Sequence, residues 1–467
     1  MKNIILNNKL WTMALLLCSF FVLPLLSSCD ETDESASTPI SVSAVYLEDA
    51  DSDVPDRPVT FARLGQVLRL EGKGFTGVKK VLVNGYETYI NPVYVTDNNL
   101  LVQISRETPT SKASDDVRNT IRIIKAATEL TYNFEIRSAA PAITSVSHTM
   151  PQAGDTIVIN GTGLVEIEKV TFPGNVVVTE GIVSDEDGKF CKVAVPAGVS
   201  ADGGSILVEG ANGGAYSSAY FNVKRGVLLD FDGNGQQGFW GWSETGSMLN
   251  DADLESAPIG APGSMSQGKY VAHRPARLAS FPAAKNRNTE VWTAGNDVDN
   301  WRAQLTPFIP AETPVADVAL QFDIFVPEEW ANTGFLKICL ANNFNGGEWS
   351  GAVYNYVPWI ENKAVVPFST KGWVTVTIPL NKFYAFASTD QVYTFEDVLV
   401  YREGASWQNF GFFFENSDFK LSNITKNDAD ETEFVSSATS VKVYTDNWRV
   451  VSLVKPEYSD FPVTSNE

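Results

Sequence analysis

GQVLRLEGKGF, residues 65–75, and GDTIVINGTGL, residues 154–164, decide the fold of the first half of the chain. The two stretches match position by position at an offset of 89 residues, and the same offset aligns residues 81–85 with 170–174. In each stretch apolar and polar residues alternate, as in a β-strand, before a Gly-x-Gly turn whose backbone favours glycine. A fixed offset of this kind predicts two tandem copies of one small domain.

Both copies consist of short strand-like segments separated by glycine and proline, which indicates immunoglobulin-like β-sandwiches. No helical pattern follows either Gly-x-Gly turn, so neither is a phosphate-binding loop. The pattern resembles that of the IPT/TIG domain. We expect the first copy to span residues 40–138 and the second residues 139–225. Because neither contains tryptophan or a cluster of catalytic side chains, we expect both to act as spacers.

The N-terminus has the pattern of a secretory signal peptide over residues 1–28, because Lys2 and Lys9 precede an apolar stretch too short to span a bilayer. The sequence Leu-Ser-Ser-Cys that ends at Cys29 resembles the bacterial lipobox, which implies acyl chains on Cys29. An ordinary signal peptide with a chance cysteine is the alternative.

Residues 29–39 form an acidic tether. This tether resembles the surface-export signal of Bacteroides-type lipoproteins, which implies a lipid anchor in the outer membrane and a chain that faces the cell exterior. The alternative is a solvated linker that carries no export signal, which would have the same composition.

Charge and cysteine content restrict the function further. A formal net charge of −21 argues against nucleic acid as a partner. Cys18 lies in the signal peptide and Cys29 in the lipobox, while Cys191 and Cys339 are far apart, so no disulfide framework is expected. With two histidines in the whole chain, a zinc site with several histidine ligands is excluded.

The composition changes at residue 226, because ten of the eleven tryptophans lie between Trp240 and Trp448. Strand-like alternation continues over residues 318–326 and 374–378, and no long segment has helical periodicity. We expect residues 226–455 to form one large jelly-roll-like β-sandwich, followed by a tail over residues 456–467. The predicted fold class is therefore all-β, with two tandem immunoglobulin-like (IPT/TIG) β-sandwiches before the larger one.

Several aromatic residues of this last domain lie in polar loops or beyond strand ends, where we expect exposed rings that stack on the flat face of a β-linked sugar. These aromatic candidates are Trp330, Trp349, Tyr354, Tyr356, Trp359, Trp292, Trp301 and Trp407. Polar candidates for hydrogen bonds to the sugar hydroxyls are Asn343, Asn345, Glu348 and Arg402. The alternative is that the aromatic rings fill a second core.

Strand parity gives two further expectations. If Val353 and Val357 point inward, Tyr354 and Tyr356 point outward. Within-strand position predicts that Phe322, Phe412, Phe414 and Trp448 belong to the core.

The sequence motifs that could indicate catalysis or metal binding are incomplete. No Gly-x-Ser-x-Gly elbow accompanies His273, and the carboxylates Glu328, Glu329 and Glu348 are best interpreted as solvated loop charges rather than a glycosidase pair. Residues 230–235 match half of an EF-hand loop, but position twelve is Gly241, so we expect a turn and no metal. The sequence therefore predicts a non-catalytic protein without a cofactor, with a surface endo-glycanase as the alternative.

The lipobox, acidic tether, tandem IPT/TIG-like domains and tryptophan-rich C-terminal β-domain together resemble the Bacteroidetes surface glycan-binding proteins of the B type. The resemblance implies binding of a neutral plant polysaccharide, a β-glucan such as xyloglucan or mixed-linkage glucan. It also implies partners in a starch-utilisation-like (Sus-like) system, namely a SusD-like protein and a TonB-dependent transporter. A protein-binding adhesin or assembly lipoprotein is the remaining alternative.

Overall fold

The computed structural model describes residues 34–48, 57–238, 248–261, 264–265, 268–273, 287–295, 299–342, 351–426, 429–438 and 441–460. The predicted anchor Cys29 and the site candidates Asn343, Asn345, Glu348 and Trp349 lie outside these residues. The chain forms two compact units, Met1–Ala139 and Ala140–Glu467. No helix within the described residues has the length and apolar character needed to cross a membrane.

The first unit contains an immunoglobulin-like sandwich of two four-stranded sheets, ordered β2-β1-β4-β7 and β6-β5-β8-β9, and a parallel pair β3-β10. Its strands are β1 (Ser41–Glu48), β2 (Arg57–Pro58), β3 (Phe61–Arg63), β4 (Val67–Lys73), β5 (Lys80–Val83), β6 (Tyr86–Thr88), β7 (Asn99–Gln103), β8 (Thr120–Ile124), β9 (Glu129–Asn133) and β10 (Glu135–Arg137). The alternating apolar residues of β4, Leu68 and Leu70, are fully buried between the sheets.

The second immunoglobulin-like domain opens the second unit and has the sheets β11-β12-β16-β15 and β14-β13-β17-β18. Its strands are β11 (Ala142–Val146), β12 (Thr156–Thr162), β13 (Ile167–Phe172), β14 (Val176–Val178), β15 (Val183–Ser184), β16 (Phe190–Ala194), β17 (Leu207–Gly210) and β18 (Gly213–Tyr216).

The repeated Gly-x-Gly has one structural reason in both domains. A Cβ on Gly72 would lie 1.8 Å from the carbonyl oxygen of Ser41, and a Cβ on Gly161 would lie 1.9 Å from that of Ala142. The first glycine of each motif therefore permits close approach of the domain's first strand. The repeat predicted from the sequence is confirmed as two matching strand-and-turn units.

The C-terminal domain is a sandwich of two five-stranded sheets. The first sheet has the order β19-β34-β25-β30, with β23 also paired to β34, and the second sheet has the order β20-β24-β31-β26-β27. The strands of the domain are β19 (Val227–Leu229), β20 (Gln237–Gly238), β21 (Gly260–Ala261), β22 (Ser264–Met265), β23 (Val271–His273), β24 (Arg287–Thr293), β25 (Val318–Phe325), β26 (Phe335–Cys339), β27 (Val353–Tyr356), β28 (Ile360–Glu361), β29 (Ala364–Val365), β30 (Val374–Pro379), β31 (Gly411–Glu415), β32 (Phe419–Lys420), β33 (Glu433–Phe434) and β34 (Val443–Ser452).

Helical segments are short and lie in the connections. The α-helices span Glu34–Ser37, Trp301–Leu305, Phe395–Gly404 and Ser422–Thr425. Turns of 3₁₀-helix span Pro92–Tyr94, Lys224–Gly226, Asp251–Asp253, Val315–Asp317, Leu380–Lys382 and Tyr384–Phe386. The all-β fold class predicted from the sequence is confirmed.

The predicted core residues of the C-terminal domain are confirmed. Trp448 stacks between Phe322 and Phe412, with ring centroids 4.2 Å and 3.9 Å away, and Phe414 is fully buried in the same cluster. These rings join the inner faces of the two sheets.

A buried polar cluster joins the second immunoglobulin-like domain to the C-terminal domain. The Arg449 guanidinium lies 3.0 Å from a carboxylate oxygen of Asp323 and donates to the Thr149 hydroxyl at 2.7 Å. The His148 ring lies 3.3 Å from the other oxygen of Asp323, and the Thr375 backbone donates to the carbonyl of Ser147 at 2.9 Å. The two domains therefore form one compact unit, although their sheets are separate.

Candidate functional site

Trp330 and Trp359, two predicted sugar platforms, are core residues. Their rings are 0 % and 1 % exposed, and both indole N–H groups donate to the carbonyl of Gly334, at 3.2 Å and 2.9 Å. Backbone hydrogen bonds between Trp330 and Phe368, at 2.8 Å and 3.0 Å, fold the loop back over the end of the sandwich. The prediction that these rings are exposed is wrong, because this loop closes the core.

Trp301 and Arg402 are also buried, and both belong to a network around Asp299. The Arg402 guanidinium lies 3.0 Å from an Asp299 oxygen and 3.9 Å above the Trp301 ring, whose N–H donates to the other Asp299 oxygen at 2.8 Å. Burial lowers the pKa of Arg402, and the Asp299 charge opposes that shift. The prediction that these two residues are free for ligand is wrong, because they bind each other through Asp299 and hold the loops at one end of the sandwich.

Trp292 packs on the outward face of the second sheet. Its indole N–H donates to Glu290 at 3.1 Å, and a Cβ on Gly411 would lie 2.1 Å from its ring. Trp292 is 3 % exposed, in a small cluster with Phe413 and Val353. The expected exposure of Trp292 is therefore wrong as well.

The parity of β27 is the reverse of the expected one. Tyr356 points into the sandwich, where its ring lies 5.5 Å from Phe322 and 6.3 Å from Trp330, while Val353 points to the outward face of the second sheet. Burial raises the pKa of Tyr354 and of Tyr356. The expectation that both tyrosines face solvent is wrong, because both rings pack against the buried core and are only partly exposed.

Trp407 is the single exposed tryptophan among the described residues, at 65 %. It follows the helix Phe395–Gly404, which has a capping box in which Asp397 accepts the backbone N–H of Thr394 at 2.7 Å. Trp407 stays a candidate for contact with a ligand.

A cleft of about 710 Å³ lies along the edge strand of the second sheet, β27. One wall of the cleft is formed by the two 3₁₀ turns that follow Pro379, the last residue of β30. The short helix Ser422–Thr425 contributes further lining residues. The described residues that line it are Val353, Tyr354, Asn355, Asn381, Lys382, Tyr384, Ala387, Ser388, Thr389, Asn423, Ile424 and Lys426. We call it the amide cleft. Of the residues predicted for the site, Tyr354 is the one found in its lining.

Two asparagines of the amide cleft have side-chain oxygens without a hydrogen-bond partner in the part of the chain that the structure describes. Asn355 is 4 % exposed, and its Oδ1 and that of Asn381 are buried with no hydrogen bond within the described part of the chain. An unsatisfied buried acceptor costs about 1–3 kcal/mol. An ordered water or a ligand that carries hydroxyl or amine donors would satisfy these two acceptors, which lie next to the cleft.

Lys426 sets the shape of the cleft wall. Its ammonium donates to the carbonyl oxygens of Tyr384 and Ala387, at 2.8 Å and 2.7 Å, and lies 4.7 Å from the Tyr384 ring centroid. These contacts hold the Tyr384 turn in place.

Sequence reasoning missed Asn355, Asn381, Tyr384 and Lys426. One signal was available, because Asn355 lies inside a strand between two tyrosines. Asparagine is depleted in β-strands, so its presence there is unusual. Asn381 and Lys426 come from separate loops, and nothing in the sequence brings those loops together.

The residues considered for catalysis have other environments. His273 is 1 % exposed, its ring nitrogens face the hydroxyls of Thr289 and Thr445, and burial lowers its pKa to about 3. Glu328 and Glu329 are exposed loop residues. Asp230 accepts the backbone N–H groups of Asp232 and Asn234, as expected of a turn. Within the described ranges no cluster of three or more histidine, cysteine or acidic side chains could hold a metal.

The fold defines the class of protein: an all-β chain whose immunoglobulin-like domains precede a larger β-sandwich with a cleft at the edge of one sheet. Residues 221–452 match the family model of the "Surface glycan-binding protein B xyloglucan binding domain". The C-terminal domain is therefore of the surface glycan-binding protein B type, which confirms the family resemblance stated from the sequence.

Known proteins are similar to larger parts of this chain. An IPT/TIG domain-containing protein of Bacteroides ovatus is 24% identical over 326 residues, which are 68% of this chain and 54% of the relative. The match thus spans about half the length of that relative. The crystal structure of the surface glycan-binding protein PbSGBP-B from Prevotella bryantii covers 90% of this chain and 100% of its own, with a TM-score of 0.58 and 20% identity. That similarity shows a shared fold.

A further solved structure is SGBP-B from a complex xyloglucan utilization locus in Bacteroides uniformis. It covers 89% of this chain and 100% of its own, at 16% identity and a TM-score of 0.45.

Proposed function

We propose that this protein binds a plant polysaccharide at the cell surface without cutting it, and that the amide cleft is part of the binding surface. The observation that carries the proposal is a pair of buried acceptors, the side-chain oxygens of Asn355 and Asn381, which have no hydrogen-bond partner among the described residues and lie beside the tyrosines of the cleft. Sugar hydroxyls supply the missing donors, and tyrosine rings pack against sugar C–H groups.

Binding without hydrolysis is supported by the lining of the cleft. Glycoside hydrolysis generally needs two carboxyl groups on either side of the bond that is cleaved. Among the described residues that line the amide cleft there is no aspartate or glutamate. The matching family model is that of a xyloglucan binding domain, and the solved structure with a TM-score of 0.58 is that of a surface glycan-binding protein.

The polysaccharide we propose is a β-glucan such as xyloglucan or mixed-linkage glucan. Xyloglucan appears in the description of the matching family model. We further propose that Cys29 carries a lipid that anchors the chain in the outer membrane, facing outward, where it serves a Sus-like system through a SusD-like protein and a TonB-dependent transporter. The lipobox and the acidic tether support this location.

Isothermal titration tests the proposal directly. The mature chain with Cys29→Ser, which lacks the acyl group, is titrated with xyloglucan, mixed-linkage β-glucan, galactomannan and starch. We expect heat with one or two β-glucans and no increase in reducing ends over a day. Asn355→Ala and Asn381→Ala should each weaken binding, whereas Asn98→Ala, an exposed amide in the first domain, should not. Heat with none of the four, or release of reducing ends, contradicts the proposal.

A further inference from the structure

Three large exposed side chains lie close together in the sequence of the first domain, in the connection between β6 and β7. Tyr89, Val93 and Tyr94 are 73 %, 82 % and 57 % exposed. Ile90 and Val95, from the same connection, pack instead against the core of the domain. We call Tyr89, Val93 and Tyr94 the tyrosine patch. A group of large apolar side chains on a surface marks a site of contact with another molecule or with a membrane.

The backbone under the tyrosine patch is fixed by its own hydrogen bonds. Proline opens the 3₁₀ turn Pro92–Tyr94, and the Asn91 side chain accepts the backbone N–H of Val93 at 3.1 Å. The backbone N–H of Tyr94 donates to the carbonyl of Asn91 at 3.0 Å. Because the turn is already ordered, a surface that meets the patch does not have to order its backbone.

The tyrosine patch belongs to the end of the domain at which the N-terminal segment enters. Ser41, the first residue of β1, pairs with Lys73 at the end of β4. Two residues before Lys73, Glu71 pairs with Asn99, the first residue of β7. The connection that carries the patch therefore joins β7 at the same end of the sheet as the start of β1.

Lys125 holds the N-terminal segment at this end. Its side chain is 4 % exposed and donates to the carbonyl oxygens of Thr38 and Gly74, at 3.1 Å and 3.0 Å. Even fully extended, the chain from Cys29 to Thr38 reaches at most roughly 32 Å. A lipid on Cys29 would therefore keep this end of the domain close to the bilayer surface.

The second copy of the domain shows that the fold does not require this composition. Residues 73–80 and 89–98 of the first copy correspond to residues 162–169 and 179–189 of the second. The stretches of the first copy contain two tyrosines, three lysines and one acidic residue. Those of the second copy contain no aromatic residue, two lysines and six acidic residues. The apolar and basic character of this end is therefore particular to the copy that follows the predicted anchor.

The chemistry of this end fits a lipid surface. A tyrosine ring places its apolar body among acyl chains and its hydroxyl among headgroups, and lysine is attracted to headgroup phosphates. A stable protein interface generally uses about 20–30 residues on each side, which is more than this patch provides. A neutral sugar could stack on tyrosine but would gain nothing from the lysines.

We infer that the tyrosine patch contacts the headgroup region of the membrane that holds Cys29, so that the first domain lies against the bilayer. The inference rests on the lipid anchor of the proposed function and does not involve the amide cleft. The lipid supplies one attachment about which a domain can rotate, and the patch supplies a second contact that fixes its orientation.

Hydrogen exchange of the anchored protein tests this inference. The mature chain is coupled through the Cys29 thiol to a maleimide lipid in vesicles of phosphatidylethanolamine and phosphatidylglycerol, and Cys191 and Cys339 are buried and do not compete. We expect backbone exchange in residues 89–98 to slow at least about fivefold relative to the uncoupled chain, which corresponds to roughly 1 kcal/mol of docking free energy. Exchange in residues 179–189 should not change.

A double variant with a matched control assigns the effect to the patch. Tyr89→Ser/Tyr94→Ser should remove the slowing, whereas Val177→Ser/Val183→Ser, which replaces two valines of the second domain that are 52 % and 58 % exposed, should retain it. Unchanged exchange in residues 89–98 on vesicles, or slowing that survives the tyrosine double variant, overturns the inference. Slowing by soluble xyloglucan without vesicles assigns the patch to a sugar and also overturns it.

The anchor itself is tested separately by the mass of the protein isolated from its parent membrane. If acyl chains are present and the exchange result is negative, the inference fails and the proposed anchor stands. If acyl chains are absent, both fail, while glycan binding by the C-terminal domain is unaffected.

Discussion

Arg449→Met tests whether the buried ion pair joins the second immunoglobulin-like domain to the C-terminal domain. Arg449 is fully buried, and its side chain reaches Asp323 at 3.0 Å, Thr149 at 2.7 Å and Gln321 at 3.2 Å. Methionine keeps most of the aliphatic length but removes the charge and every donor. The Asp323 carboxylate, 1 % exposed, then loses its main compensating charge.

The size of the effect follows from that burial. Burial alone would raise the pKa of Asp323, but the charges of Arg449 and His148 outweigh it and hold this pKa below its ordinary value. Removing one partner of such a pair costs about 3–5 kcal/mol, because a charge stays buried without compensation. For a domain of this size, each kcal/mol lowers the melting temperature by roughly 2–4 °C, so a decrease of about 6–20 °C is expected.

Differential scanning calorimetry measures both the decrease and the coupling. Because Thr149 and His148 belong to one domain and Asp323 to the other, we expect Arg449→Met to separate the melting of the two domains into distinct transitions. The control is Arg302→Met, which breaks the exposed ion pairs with Glu396 and Glu403 and should change the melting temperature little.

Two results would refute this reasoning. One is an Arg449→Met variant that melts no lower than Arg302→Met. The other concerns the double variant Asp323→Leu/Arg449→Met, which should recover part of the lost stability because no buried charge then remains. A double variant as unstable as the single one would mean that the lost charge pairing is not the cause.

Three further predictions concern the C-terminal domain. The pKa of His273 is about 3 in the folded state and near 6.5 unfolded, so the unfolded state binds more protons between these values; stability should fall by up to about 1.4 kcal/mol per pH unit below pH 6.5, and His273→Leu should flatten that slope in urea titrations. Trp330→Phe should lower the urea midpoint without changing glycan affinity, because the indole N–H serves the core. Gly411→Ala should cost about 1–3 kcal/mol in chemical denaturation, because the new methyl group collides with Trp292.

The parts of the fold that depend on local geometry could be predicted from the sequence. Gly72 and Gly161 occupy matching positions near the ends of β4 and β12, because a Cβ at either position would collide with a backbone carbonyl of the neighbouring strand. Such a constraint leaves the same residue at the same place in each copy. The alternation of apolar and polar residues in the strands around these glycines indicates that each strand has one buried face and one solvent face, as in other antiparallel sandwiches.

The strand β25 shows where local pattern becomes insufficient. Its alternation of apolar and polar residues predicts one solvent face, yet all its residues are buried. Gln321 and Asp323 point toward the second immunoglobulin-like domain, where they meet Thr149 and His148. A partner domain covers the polar face, and no pattern within the strand reports the presence of that partner.

The candidate site was hard to predict for a related reason. A tryptophan in a polar loop is expected to be exposed because its neighbours in sequence are polar. Trp330 shows that such a loop can instead fold over the open end of a sandwich, with its polar neighbour Glu329 outward and the ring inward. The burial of a loop aromatic therefore depends on the shape of the core end, which a single sequence does not report.

Six of the seven tryptophans in the described part of the C-terminal domain are buried, which limits the tryptophan surface that these residues can offer to a ligand. A flat tryptophan platform stacks on many β-linked sugars alike, because every such ring has an apolar face. The amide cleft instead presents directional groups, Asn355 and Asn381, beside the fixed charge of Lys426. A buried acceptor that the wrong sugar leaves unpaired costs more binding free energy than the loss of a stacking contact. Hydrogen-bonding sites therefore discriminate more strongly than apolar ones. A binder built in this way should distinguish polysaccharides by the substituents on their branches more than by the shape of their main chain.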